Sequence, residues 1–464
     1  MIGRRVLALF LSMLLLVASA NGGGPRHTTG PANSKPGQSV VWDNSKTISY
    51  TVDSGPLSVS PSGQTVIDNA AGLARVKSLF QNWQSVPTAF ISMSYAGTIK
   101  GLASGSDVKT IQDYNTVVGT CNSGTQNPII FDADGSLVSA LGLDALVIGF
   151  NSTCNLNLQT GFITGSLILL NGKFQDGVND PQTQNYELSA DQFDEAITHE
   201  MGHFLGLDHS QINLDLYQNA TPGSCNVDEL AGLPLMFPVF FCQSRKSAGL
   251  PILAPDDVAW ISRLYPNINF PANYGTISGF IFFSDGITHV QGLNVIARRV
   301  DDPATPEDES KRIAVSVVSG FQFTGNPGQS TTGDNTGGSS FGSRNPALIG
   351  YYEIPVPPGS YSIQTEVLDS SFVGSSSIGP LSVPSAPNGS AEYWHAFESA
   401  FDDPTQKDPI PVLAGQKVSN INIILNGTPP RFDPNEDGEV RLRQPSIPFI
   451  FRPARDPWRF WVES

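Results

Sequence analysis

Three histidines and a glutamate share the stretch His199-Glu200-Met201-Gly202-His203-Phe204-Leu205-Gly206-Leu207-Asp208-His209. On a helix, His199 and His203 are one turn apart on a common face, so both imidazoles can reach one ion with Glu200 beside them. Gly206 would end that helix and let the chain turn, which brings His209 in as a third ligand. Three neutral imidazoles with an open fourth position describe a catalytic zinc site, and no Cys stands near enough in sequence to close it as a structural one. Zinc lowers the pKa of a bound water from about 15.7 to about 7. Glu200 would take the proton as that water attacks a peptide carbonyl and return it to the leaving amine, help worth about 10² to 10⁴ in rate. A bare His-Glu-x-x-His can arise by chance on an exposed helix. Here, however, half of the chain's 6 His fall within this one stretch, with Gly where the turn needs it. His27, His289 and His395 are isolated in sequence and read as surface or locally bonded side chains.

The elements that must position this stretch are partly legible. Ser189 with Gln192 forms a capping box, so a helix is expected from Ala190 to about Leu205. Upstream, Val40-Val41-Trp42, Ile48 to Val52 and Phe90 to Tyr95 read as strands. Between the last two, Ala70, Leu73, Val76, Leu79, Phe80 and Trp83 recur at helical spacing. Residues 100–188 read as several short strands, notably Pro128 to Phe131, Ala145 to Phe150 and Gly161 to Leu170. Downstream, Pro255 opens a last helix to Leu264, with Asp256 and Asp257 where the helix dipole favours negative charge. From Gly275 the pattern is wholly β, suggesting a small sandwich. The expected fold class is therefore α+β, a twisted mixed sheet with about three helices followed by an all-β module.

Composition narrows the setting. The 464 residues carry 45 Gly and 35 Pro with only 15% charged residues, the texture of extracellular β-rich modules. A net charge of −16 argues against a nucleic-acid partner, because phosphates would be repelled over most of the surface. Arg4 and Arg5, the apolar run Val6 to Val17 and the small residues Ala18-Ser19-Ala20 read as a secretory signal, too short to span a bilayer. No other segment is long and apolar enough for a membrane helix, so a secreted, soluble mature protein starting near Asn21 is expected. The 4 Cys fit an oxidising compartment and permit three pairings. Proximity favours Cys121 with Cys154 and Cys225 with Cys242.

The motif His199-Glu-x-x-His203-x-x-Gly206-x-x-His209, followed by Met in a tight turn, resembles the metzincin clan of zinc metalloproteases. With Ser210 and Leu235-Met236-Phe237-Pro238 it is most similar to matrixins, as is the stretch Ala254 to Tyr265. The resemblance covers residues 40–266 and is strongest after Ser189. It implies that Met236 is a hydrophobic floor beneath the zinc, that Pro238, Val239 and Phe240 line the pocket for the residue after the scissile bond, and that the strand Gly165 to Leu170 pairs with extended substrate. The chain departs from the pattern in placing 26 residues, 210–235, between His209 and Met236. It also lacks a Pro-Arg-Cys-Gly switch, and it has no His between His27 and His199 for a second zinc. The insertion is expected to border the cleft.

Two further groups have oxygen ligands suited to Ca²⁺: Asp132 with Asp134, and Asp176 with Asp180, although Asp and Asn with Gly also make ordinary turns. Asp433 to Gly438 matches the start of an EF-hand loop but has Gln444 where the bidentate Glu should stand. The runs Gly275 to Ile281, Gly292 to Ala297 and Gly350 to Tyr361 resemble carboxypeptidase-regulatory-like β-sandwich modules. The expected organisation is thus a signal peptide at 1–20, a flexible lead-in at 21–39, a matrixin-like domain at 40–268 and a sandwich at 274–368. A β-rich segment at 369–427 and an irregular tail at 428–464 complete it, with Pro266 to Asn273 as linker. The functional expectation is a secreted endopeptidase acting on protein or peptide substrates with one catalytic Zn²⁺. The rival is a catalytically weak adhesion or binding protein built on the same scaffold.

Overall fold

The strand Phe162–Asn171 holds the N-terminal half together, and its apolar run Leu167 to Leu170 is buried on both faces. The computed structural model describes residues 23–103, 105–180, 185–219, 225–323, 341–368 and 391–427. The expected signal peptide, the EF-hand-like loop at Asp433 and the C-terminal tail lie outside them. Phe162–Asn171 belongs to a six-stranded sheet, pairing in parallel with Val41–Trp42 and Pro128–Asp132 on one side and antiparallel with Gly149–Asn157 on the other. Ile48–Val52 and Met93–Thr98 continue the sheet, both parallel to their neighbours. Leu167 and Leu169 face one layer, with Tyr114, Val117 and Cys121 of the helix Ile111–Asn122. Ile168 and Leu170 face the other, with Val76, Phe80 and Trp83 of Asn69–Gln84 and Phe193, Ile197 and Met201 of Ala190–Phe204. Side chains that alternate between two covered faces explain the unbroken apolar run.

Two expectations are corrected here. Residues 100–188 are not strands alone, since Ile111–Asn122 is a helix with a complete capping box, Thr110 with Asp113. Its Thr and Val content masks a helical stripe of Tyr114, Val117 and Cys121. The strand Gly165 to Leu170 is also no free edge, because Gly149–Asn157 covers its outer side and is itself the antiparallel edge strand. A disulfide between Cys121 and Cys154, with Cα atoms 5.8 Å apart, ties that edge to the helix behind it.

The C-terminal half is a pair of sheets. One runs Ala314–Val318, Asn294–Arg299, Gly359–Glu366 and Glu392–Tyr393, with Ile410–Val412 also on Gly359–Glu366. The other places Gly275–Phe282 between Tyr351–Val356 and the short parallel strands Lys417–Val418 and Ile423–Ile424. Ile277, Val295, Tyr352, Tyr361 and Ile363 are fully buried between them. The architecture is mixed α and β with several sheets and few helices, and among the described residues no helix is long and apolar enough to cross a membrane.

The two halves share one apolar cluster. The Trp260 indole donates to Ser316 O at 2.7 Å, and Ser316 N donates to Asp256 Oδ1 at 2.9 Å. Asn294 Nδ2 donates to Gln211 O at 2.9 Å and Arg298 Nη1 to Asn213 Oδ1 at 2.7 Å. The stretch read as a linker is pinned as well, since Asn267 Nδ2 donates to Pro87 O and Ala89 O at 2.9 and 3.0 Å. The lead-in is also not loose. Arg26 is 7% exposed, bonded through Nη1 to Asn151 Oδ1 at 2.7 Å, and Pro25 bridges to Leu207. Gly/Pro-rich composition signals flexibility only while the segment has nothing to pack against.

Candidate metal centre

Ser189 caps the helix Ala190–Phe204 with Gln192 returning the bond, as the capping box requires. Two indoles then fix the helix from the core side: Trp83 Nε1 donates to Thr198 O at 2.9 Å and Trp42 Nε1 to Phe204 O at 2.7 Å. The helix ends in a Schellman motif, with Leu207 N donating to Gly202 O at 3.0 Å and Gly206 N to His203 O at 2.9 Å. Gly206 sits at φ +88°, a left-handed conformation that a side chain would strain. The Tyr265 hydroxyl donates to Leu205 O at 2.6 Å and so clamps this turn to the end of the helix Pro255–Leu264.

The turn brings His209 back to the helix. Ligand atoms of His199, His203 and His209 lie within 4.8 Å of one another, and the ring centroids are 4.7 to 5.2 Å apart. His199 Nδ1 donates to Leu235 O at 2.7 Å and His203 Nδ1 to Leu207 O at 2.9 Å, so in each neutral ring Nε2 carries a lone pair. Those two Nε2 atoms face each other at 3.0 Å. Lone pair against lone pair at this distance repels, and a cation between them relieves it. The three imidazoles can therefore hold a metal ion.

Glu200 is buried, and its Cγ would lie 3.4 Å from a Cβ placed on Gly149, at the start of the edge strand Gly149–Asn157. Met236 packs against Gly202 on the helix, where an added Cβ would collide with its Sδ and stand 2.9 Å from the Trp83 ring. Gly202→Ala should therefore destabilise the fold by about 1–3 kcal/mol through overpacking. On an exposed helix the same change would stabilise by about 1 kcal/mol. A thermal midpoint below wild type is the expected result, and one above it would show that Met236 does not press on the helix.

The sequence signal missed what holds Met236. Asp257, read as a dipole partner, is buried and accepts Leu235 N at 2.8 Å, Met236 N at 3.1 Å and Ala254 N at 2.7 Å. Burial nonetheless pushes its carboxyl up to about 6. Leu235 in turn orients His199, and Met236 O accepts Ser210 N at 2.9 Å directly after His209. One carboxylate thus fixes the turn that fixes two of the three imidazoles.

The insertion folds into the helices Leu214–Asn219 and Val227–Gly232, stapled by Cys225–Cys242 with Cα atoms 5.5 Å apart. Arg245 satisfies its carbonyls, with Nη1 on Leu230 O at 2.6 Å and Leu233 O at 2.8 Å. Below it a narrow cavity of about 40 Å³ is lined by Val239, Phe240, Phe241, Arg245 and Glu195, the last with its carboxyl pushed by burial up to about 7. Val239 and Phe240 are where the resemblance placed a pocket wall, whereas Pro238 is not part of the lining.

The expected calcium turns are not gathered into a ligand cluster among the described residues. Asp132 accepts Leu137 N and Val138 N at 3.0 and 2.8 Å, and Asp134 accepts Ser136 N at 3.0 Å. Asp176 accepts Val178 N and Asn185 Nδ2 at 2.8 and 3.1 Å, while Asp180 pairs through its backbone with Asn185. These are turn and cap acceptors. Compared with known proteins, the chain matches no protein-family model and no curated protein.

Proposed function

We propose that the chain is a secreted zinc endopeptidase of the metzincin type, closest in its motifs to matrixins. The observation that carries the reading is the convergence of His199, His203 and His209 on one point, with Glu200 beside them and Met236 under the helix. A Zn²⁺ ion bound there would supply an acidified water and a Lewis acid for the peptide carbonyl. Glu200 removes the water's proton and delivers it to the leaving amine. The edge strand Gly149–Asn157 has no second strand beside it among the described residues, so an extended peptide could add there and run past Glu200 once Arg26, which donates to Asn151 O, is displaced. The cavity under Val239 and Phe240 takes a small side chain after the scissile bond. Two disulfides suit an oxidising, extracellular setting.

The rival reading, a binding protein on this scaffold, draws on the closure of the site: the three imidazoles and Glu200 are at most 2% exposed, so a substrate must displace covering chain to reach them. Incubating the purified protein with a peptide library separates the two. Cleavage that a chelator abolishes and Zn²⁺ restores is the expected result. Retained zinc without cleavage of any peptide would transfer the assignment to the binding protein.

A further inference from the structure

Apart from the histidine triad, a second polar cluster lies between the two C-terminal sheets. Glu392 belongs to Glu392–Tyr393, paired with Gln364 and Thr365 of one sheet. Asn426 closely follows Ile423–Ile424, paired with Ile281 and Phe282 of the other. The loop from His395 to Asp402 fills the space between, and the ligand atoms of His395, Glu398 and Asp402 lie within 4.8 Å of one another.

Each carboxylate is aimed by a bond to neighbouring backbone. Glu392 Oε2 accepts Asn426 N at 2.8 Å, and Glu398 accepts His395 N at 2.9 Å and Ile424 N at 2.8 Å. Asp402 Oδ2 accepts Ser399 N at 2.6 Å, and Asn426 Nδ2 donates to Asp402 O at 2.8 Å. What remains is a set of buried oxygens that no donor reaches: Glu392 Oε1, Asp402 Oδ1 and Asn426 Oδ1. Glu392 itself is only 2% exposed. Among the described residues no Lys or Arg pairs with any of the three carboxylates, and His395 is the one titratable nitrogen beside them. Burial, and then the neighbouring acids, hold the Glu392 carboxyl near 7, as they do that of Glu398. Buried acceptors without donors are costly, more so when charged, so such a group is explained by something that binds it.

His395 decides which cation. Its Nδ1 accepts Phe397 N at 3.1 Å, so in the neutral ring the proton is on Nε2, which stands 3.0 Å from Asp402 Oδ2. That imidazole has no lone pair to give to a metal. Its Nε2 lies beside Asp402 but makes no hydrogen bond to it. The donor set is then oxygen only, three carboxylates and one amide carbonyl, which suits a hard cation with six to eight oxygen ligands better than a nitrogen-seeking transition metal.

We propose that Glu392, Glu398, Asp402 and Asn426 form a Ca²⁺ site, with His395 beside Asp402, and that the ion clamps the two C-terminal sheets together. This site is independent of the proteolytic reading. The test uses the full mature chain, stripped with a chelator and titrated calorimetrically with Ca²⁺ alone. Saturable binding with Kd of about 10⁻⁶ to 10⁻³ M and a higher thermal midpoint in Ca²⁺ are expected. Glu392→Gln and Asp402→Asn should each weaken Ca²⁺ binding at least about tenfold and erase the thermal shift. In chelator, Glu392→Gln should melt no lower than wild type, because it removes a buried charge that nothing offsets. Both variants should keep the wild-type far-UV circular dichroism spectrum, which reports that they fold. Calcium binding unchanged in both variants, or no binding in wild type at millimolar Ca²⁺, overturns the proposal. So does loss of a second Zn²⁺ in place of Ca²⁺.

Discussion

Glu200→Gln is expected to slow peptide hydrolysis by about 10² to 10⁴-fold and to leave the metal content unchanged. The side chain is fully buried between the helix and the start of the edge strand, so an amide of equal size keeps the packing. What Gln lacks is a basic oxygen that can take a proton and return it. Two of the imidazoles are oriented by backbone carbonyls, His199 by Leu235 O and His203 by Leu207 O, and the Schellman turn brings His209 to them. His203→Ala should instead lose the ion and the activity together. Measuring zinc by mass spectrometry beside kcat on a cleaved peptide separates the two outcomes. Full activity in Glu200→Gln would sink the mechanism while leaving the metal site intact.

Cutting the chain after Pro266 is expected to abolish cooperative folding of the N-terminal half. The helix Pro255–Leu264 is buried along most of its length, and part of that burial is against Ala314–Val318 and Phe321. Removal would expose Trp260, strip its indole of Ser316 O and leave the fully buried Asp256 carboxyl without Ser316 N. The insertion would lose Arg298 from Asn213, and Asp228 would lose Arg312. Each large apolar side chain returned to water costs about 1.5–3 kcal/mol, and whole-domain stability is only about 5–15 kcal/mol. A few such losses exceed it. Because Asp257 on this helix also fixes the turn at Met236, loss of the helix would loosen the metal centre too. Thermal melts of residues 23–266 should show no cooperative transition. A sharp melt at the wild-type temperature would show that the C-terminal sheets are an appendage.

Short windows of the chain determined a good deal of this. The spacing of His199 and His203, the capping box at Ser189, the helix-ending Gly206 and the start of the last helix at Pro255 are local, because each rests on bonds among residues a few positions apart. The pairing of Cys121 with Cys154 and of Cys225 with Cys242 follows the same logic of short separation. Tertiary structure alone decided which strand is the free edge, since alternation cannot say which neighbour lies alongside. It packed residues 23–29, whose composition reads as loose, against Leu207 and Asn151. It gave Asp257 three backbone amides in place of a dipole role, and it placed His395, isolated in sequence, with the carboxylates of Glu398 and Asp402. The physical reason is common to all of these. A side chain's charge, bonds and burial depend on groups brought near by the fold, often more than a hundred positions away, as Arg26 is from Asn151. The opening motif could therefore be read as a ligand set from its own residues, while the turn, helix and sheets that hold it still are visible only once the chain is folded.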